Sequence, residues 1–180
     1  MKMNEYEFSL TYRLPFDESG EKFINSLYDN GCDDAIVSVG NRGFVRLDFT
    51  RESTDAFHAI QSAHFNVKTA IPDAVFDKAG PYLLNLTELA FELGFTKQNI
   101  QKYAKGGSKK RVLFPSPVLT GKISYWYATD VFEWFWGAGI GEIQDKDLEC
   151  LFAIKSLNLA MEEKKCPSMT ESFSKMVASG

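Results

Sequence analysis

Tyr6, Phe8, Leu10 and Tyr12 alternate with Glu7, Ser9, Thr11 and Arg13. A period of two marks a strand with one face on a core and the other toward water. Such a strand needs partners and a cover, and the residues that follow supply both in a fixed order. After Pro15, Asp17 or Ser19 can cap a helix carrying Phe23, Ile24, Leu27 and Tyr28 on one side, with Gly31 as its stop. Ala35 to Val39 and Phe44 to Phe49 then flank Gly40-Asn41-Arg42-Gly43, whose glycines permit a tight hairpin. From Ser53 the spacing Phe57, Ile60, His64, Val67 is helical, and the chain passes Pro72 into a brief apolar segment, Ala74 to Phe76.

The order βαββαβ predicts an α+β unit over residues 1–80: a ferredoxin-like sandwich of an antiparallel sheet with two helices on one face. Gly80-Pro81 punctuates the chain. A length of 180 residues leaves room for a second small unit. Apolar residues at 44% and charged residues at 24% exclude wholesale disorder. No apolar run reaches the roughly 18 residues of a membrane span, and MKMNEYEF lacks a signal-peptide stretch, so a cytoplasmic protein without membrane contact is expected. Cys32, Cys150 and Cys166 are an odd set without CxxC spacing, which predicts reduced thiols and no zinc clip.

Past Gly80-Pro81, two helices follow one another with almost nothing between them. Thr87 can cap the first, running through Leu93; Gly94 stops it; Thr96 caps a second, running to about Tyr103. Leu89, Ala90, Leu93, Phe95, Ile100 and Tyr103 occupy the apolar places such a pair needs. Small Ala90 lets the second helix approach, and Gly94 permits the turn. Leu113-Phe114-Pro115-Ser116-Pro117-Val118 and Ile123-Ser124-Tyr125-Trp126-Tyr127 read as strands of a wing around Thr120-Gly121-Lys122. Thr129 then caps a third helix, whose Val131, Phe132, Trp134 and Phe135 can pack on the first two. Residues 81–136 are thus expected to form a winged helix-turn-helix, with Trp126 and Trp134 in its core.

From Leu86 to Phe135 the chain resembles the MerR-like winged helices, most closely their AlpA and excisionase-type branch. The resemblance rests on Leu-Thr-Glu-Leu-Ala from Leu86, on Gly94 and Ile100, on Phe-Pro-x-Pro-Val from Phe114, on Trp126, and on Asp-Val-x-x-Trp from Asp130. The whole chain also resembles a group of bacterial proteins that place a ferredoxin-like domain before such a helix-turn-helix. The resemblance implies binding of double-stranded DNA, with the second helix in the major groove and the wing beside it. Gly106-Gly107-Ser108-Lys109-Lys110-Arg111 is longer and more basic than the usual link to the wing.

The charge agrees once it is divided along the chain. The net charge is -4, yet residues 1–80 hold eight Lys or Arg against thirteen Asp or Glu, while Thr96 to Tyr125 holds seven bases and no acid. Local asymmetry of this kind steers a polyanion. The first turns of a recognition helix meet base edges, so Lys97, Gln98, Asn99, Gln101 and Lys102 are the candidates, with Gln98 and Gln101 foremost for adenine. Asn99 can instead serve the helix end. Thr96 and the amides beside it suit a phosphate. Lys105, Lys109, Lys110, Arg111 and Lys122 would add sequence-independent attraction. The bland alternative is a solvated polar face.

Enzymatic constellations are lacking. His58 and His64 are six apart on one helix and fall on different faces, unlike a metal pair. Asp33 and Asp34 would raise the pKa of Cys32 rather than activate it. The glycines at 137, 139 and 141 follow a helix, where a phosphate loop would follow a strand. No catalytic residue, metal or cofactor is expected.

Residues 137–166 read as a helical extension in which Asp145 to Lys165 carries a broad apolar face. Leu151, Ile154, Asn158 and Met161 fit a dimeric helix pair or packing on the chain's own winged domain. Residues 167–180 are polar and small, as in a frayed tail. The leading expectation is a bacterial transcriptional regulator that binds DNA as a homodimer, its acidic N-terminal domain dimerising, sensing a small molecule or holding a protein partner. The alternatives are an excisionase-like or architectural DNA-bending factor, and an antitoxin-like interaction adaptor without DNA affinity.

Overall fold

Strand β1 (Asn4–Arg13) buries Tyr6, Phe8, Leu10 and Tyr12 on one face and is the hub of a four-stranded sheet. The computed structural model describes residues 3–15, 18–40, 43–106 and 113–178. β3 (Phe44–Ser53) pairs antiparallel with β1 along its whole length, from Asn4 opposite Ser53 to Arg13 opposite Phe44. β4 (Val75–Gly80) pairs antiparallel on the other side, and β2 (Ala35–Ser38) flanks β3. The sheet order is β2-β3-β1-β4. Two strands outrun the expected limits. β3 continues past Phe49 because buried Arg51 and Ser53 keep the alternation, with a charged residue in place of an apolar one. β4 runs from Val75 to Gly80, where the sequence shows only a short apolar stretch, because its inward places past Phe76 are held by small Ala79.

A 3-10 turn (Gly20–Phe23) leads into α1 (Ile24–Asp29), which seats Leu27 and leaves Ile24 and Tyr28 exposed. Ser19 precedes the turn without a side-chain capping bond, and Asp17 lies outside the described residues. α2 (Ala56–Ala70) is capped by Asp55, whose carboxylate accepts from the His58 amide. Ala59 and Ala63 let it approach the sheet closely while Ile60 and Val67 fill the core. His64 is half-buried, its Nδ1 2.8 Å from the Tyr12 hydroxyl. Burial lowers its pKa, so the neutral ring is favoured.

Arg51, 8% exposed, is the main buried charge. Its Nε and Nη2 donate to the two oxygens of Asp34 at 2.7 and 2.8 Å, and Nη2 also reaches the Gly31 carbonyl at 2.7 Å. Nη1 donates to Ser62 Oγ at 3.1 Å and to Asn66 Oδ1 at 2.9 Å. The guanidinium also stands 4.9 Å from the Phe49 ring centroid. All five donors are matched, which makes burial of this charge tolerable.

Beyond the cis Gly80-Pro81 bond, β5 (Leu83–Leu84) pairs with β6 (Trp126–Tyr127). A second core gathers around Leu89, Ala90, Ile100, Val131, Phe132 and Phe135. It is built by α3 (Leu86–Glu92), α4 (Lys97–Ala104) and α5 (Ala128–Gly137). Tyr127, not Thr129, precedes the first residue of α5, and Thr129 is buried inside its first turn.

α6 (Asp145–Lys165) belongs to both cores: Cys150 and Ile154 enter the sheet core with Leu157 and Met161 beside them, and Leu151 enters the second. Glu149 clamps it to the N-terminal unit, accepting from the Tyr6 hydroxyl at 2.9 Å and from the Ala56 amide at 3.0 Å. Lys155 ties it to α5, with Nζ 3.0 Å from Asp130 Oδ1 and 4.1 Å from the Tyr127 ring centroid. The carboxamide of buried Asn158 accepts from the Ala79 N–H and donates to the Ala79 carbonyl, both at 2.9 Å. It occupies the edge of β4 much as another strand would. Leu151, Ile154, Asn158 and Met161, the residues suited to a helix pair, are therefore packed within the chain. Residues expected to fray form a further helix, α7 (Pro167–Ala178).

Among the described residues no helix is long and apolar enough to cross a membrane. The three cysteines form no disulfide. Burial pushes the Cys32 thiol up to about 11, aided by Asp34 and Asp33 and opposed by Arg51. The Cys150 thiol is pushed up to about 12, again chiefly by burial. A thiol-reactive disulfide reagent at pH 8 is therefore expected to modify only exposed Cys166 rapidly. Cys32 and Cys150 should react at the rate of unfolding, which a stopped-flow trace against denaturant concentration resolves; fast titration of all three would contradict the packing.

Candidate nucleic-acid interface

α3 begins earlier than its threonine suggests, because Asn85 is the better cap. Its Oδ1 accepts from the Thr87 and Glu88 amides at 2.8 and 3.2 Å, and Glu88 Oε2 accepts from the Asn85 amide at 2.8 Å. This reciprocal capping box is worth about 1 kcal/mol, and it places Thr87 within the first turn.

The helix ends at Gly94, which has φ +69°. The Phe95 amide returns to the Ala90 carbonyl at 2.8 Å and the Gly94 amide to the Phe91 carbonyl at 3.2 Å. This paired closure satisfies the last carbonyls and turns the chain sharply. A side chain at Gly94 would have space around it but an unfavourable backbone, costing about 1 kcal/mol. Thr96 Oγ1 then caps α4 by accepting from the Asn99 amide at 3.3 Å.

α4 turns Ile100 fully into the core, with Tyr103 packed against Trp134 and Phe135. Thr96, Lys97, Gln98, Asn99, Lys102 and Lys105 are exposed, and Gln101 is half-buried. At 3.6 residues per turn, positions 97, 98, 101, 102 and 105 share an arc of about 140° turned away from Ile100. Asn99 lies about 60° beyond the Lys102 edge of that arc, with its backbone amide committed to the cap. Gln98 is therefore better presented than Gln101. Lys97, Lys102, Lys105 and Lys122 make no ion pair with a described carboxylate; the ion pairs lie elsewhere. Lys109, Lys110 and Arg111 lie outside the described residues.

The hairpin after α4 departs from expectation. Residues 113–118 form no strand, and the pairing reduces to one bridge between Leu119 and Tyr125. Pro115 and Pro117 lack the amides a ladder needs. Phe114 instead inserts among Trp126, Trp134 and Phe135, and the Trp126 indole N–H donates to the Pro115 carbonyl at 2.9 Å. Trp126 and Trp134 are core residues, 6% and 8% exposed. Trp126 and Tyr127, expected to belong to the wing, pair with Leu83 and Leu84 instead. A hairpin between 119 and 125 remains, with Lys122 exposed in its loop.

The outcome is a short helix capped at its N-terminus, held outward by a tight turn, with its cations uncompensated. No metal-binding group of three or more His, Cys, Asp or Glu occurs among the described residues. No protein family, curated protein or solved structure matches the chain.

Proposed function

We propose that residues 81–136 act as a winged helix-turn-helix that binds double-stranded DNA sequence-specifically. In this reading α4 enters the major groove while the basic loop and the hairpin at Lys122 follow the backbone. The observation that carries it is the exposed α4 face of Lys97, Gln98, Lys102 and Lys105, free of internal carboxylate partners within a segment from Thr96 to Tyr125 that holds no acid. Those residue types combine base reading with phosphate attraction. The antiparallel order β4-β1-β3-β2 supports a ferredoxin-like reading of the N-terminal unit. Together with the resemblance to MerR-like proteins, this favours a bacterial transcriptional regulator. Because the apolar face of α6 is used internally, dimerisation falls to the N-terminal unit, where Tyr28, Phe57 and Phe65 are exposed.

Fluorescence anisotropy with a random-sequence duplex tests the reading. Affinity should fall with salt along a log-log slope of about -4 to -6, as four to seven phosphate contacts require. Selection from a random duplex library should then return an operator, with two half-sites about one helical turn apart for a dimer. Absence of binding near 50 mM salt would favour an interaction adaptor instead.

A further inference from the structure

The helices α1, α2 and α6 cover one face of the sheet. The opposite face carries Glu7, Thr11, Arg46, Asp48 and Thr50, and β5 with α3 stands across it, enclosing a cleft of about 820 Å³. That volume and that place, between two structural units, are those of small-molecule sites. A second hollow of about 400 Å³ adjoins it, sharing Glu7, Pro81 and Glu92.

Three features define what would fit. First, Phe91 and Ile36 line the cleft at 84% and 74% exposure, apolar groups without an apolar cover. Second, the charge is negative. Arg46 is held by Asp48, with Nε and Nη2 at 2.9 and 2.6 Å from Oδ1. Of the other charged groups lining the cleft, Glu7, Glu88 and Glu92 face Lys78. The adjoining hollow adds Glu5, Glu142 and Asp147 against Lys146. Glu92 is exposed as a residue, yet desolvation of its carboxyl raises its pKa, partly opposed by Arg46 and helped by Glu7, Asp48 and Glu88. A bound cation would favour the ionised carboxylate. Third, Ser9 lines the cleft at 6% exposure, and its hydroxyl has no hydrogen-bond partner among the described residues. It sits in a notch left by Gly80, where a Cβ would fall 2.8 Å from Ser9 Oγ. The carboxylates do not converge on a metal position, so the complementary cation is organic.

We propose that this cleft binds an organic cation with a flat apolar body. Its ring lies against Phe91 and Ile36, its charge faces Glu7 and Glu92, and an N–H donates to Ser9 Oγ. The site is separate from the exposed face of α4, so it is tested without DNA. The probes are 9-aminoacridine, a fluorescent cation with N–H donors, and acridine-9-carboxylate, the same ring with the opposite charge. The full chain should bind the cation saturably with one site per chain, and the anion at least tenfold more weakly. Replacing Glu7 and Glu92 together with Gln should weaken the cation about tenfold. Phe91→Ala should weaken it comparably, and an unchanged melting temperature will show that these exposed substitutions leave the fold intact. Equal binding of the two acridines, unchanged affinity in both variants, or no saturable binding would overturn the proposal.

Discussion

Alanine at Lys97, Gln98 and Lys102 together is expected to lower affinity for a selected duplex at least a hundredfold while leaving thermal stability unchanged. All three side chains are exposed on α4 and none enters either core. Alanine is the strongest helix former, so the backbone of α4 is not weakened. A glutamine bidentate to adenine discriminates by about 1 to 3 kcal/mol, and each lysine adds a phosphate or guanine contact. A hundredfold change corresponds to about 2.7 kcal/mol, within what these contacts supply. The components separate by signature. Gln98→Ala should relax preference at one base pair and leave the salt slope intact, whereas Lys97→Ala with Lys102→Ala should flatten the slope by about 2 and leave the consensus unchanged. Electrophoretic mobility shifts across a salt series measure both. A triple variant that binds like the parent, or whose loss tracks a lowered melting temperature, would refute the proposed recognition surface.

The two helix boundaries around Gly94 were legible because their signals are local. A glycine between two apolar patterns, followed at once by threonine, fixes a helix end and the next helix start with little help from the rest of the fold. The alternation of Tyr6, Phe8, Leu10 and Tyr12 likewise states which face is buried wherever the partners come from. What was not legible depends on competition between distant groups. Trp126 and Tyr127 have the composition of a wing strand, yet Leu83 and Leu84 outcompete the proline-bearing segment before Pro117 as their partner. Asn85 was overlooked for Thr87, although Asn85-x-x-Glu88 is itself a capping-box pattern. Arg51 reads as the point where an apolar strand stops; only the acceptors that meet around it, from Asp34, Gly31, Ser62 and Asn66, turn it into an inward place. The cleft left no sequence signature, since its lining comes from five strands and a helix that are far apart in the chain.

Asn158 offers the sharpest test of how α6 is used. Its carboxamide meets both the N–H and the carbonyl of Ala79 and also donates to the Ile154 carbonyl at 3.1 Å, all in a buried setting. Asn158→Ala is expected to cost about 3 kcal/mol in urea unfolding, because two backbone groups of β4 lose their partner and each unsatisfied buried group costs about 1 to 3 kcal/mol. Asn158→Asp keeps the shape but sets a carboxylate against two carbonyl oxygens, so it should cost at least as much at pH 7. Its folded pKa would lie above the unfolded value of about 3.9, and protonation restores a donor. The deficit relative to the parent should therefore shrink as pH falls toward 4.5, the direction required when the folded state holds the proton more tightly. A cost for Asn158→Ala below about 1 kcal/mol would mean that β4 does not depend on this amide. Protein concentration supplies a further discriminator: an asparagine buried within one chain affects stability equally at all concentrations, whereas one that sets the register of a helix pair makes the unfolding midpoint rise with concentration.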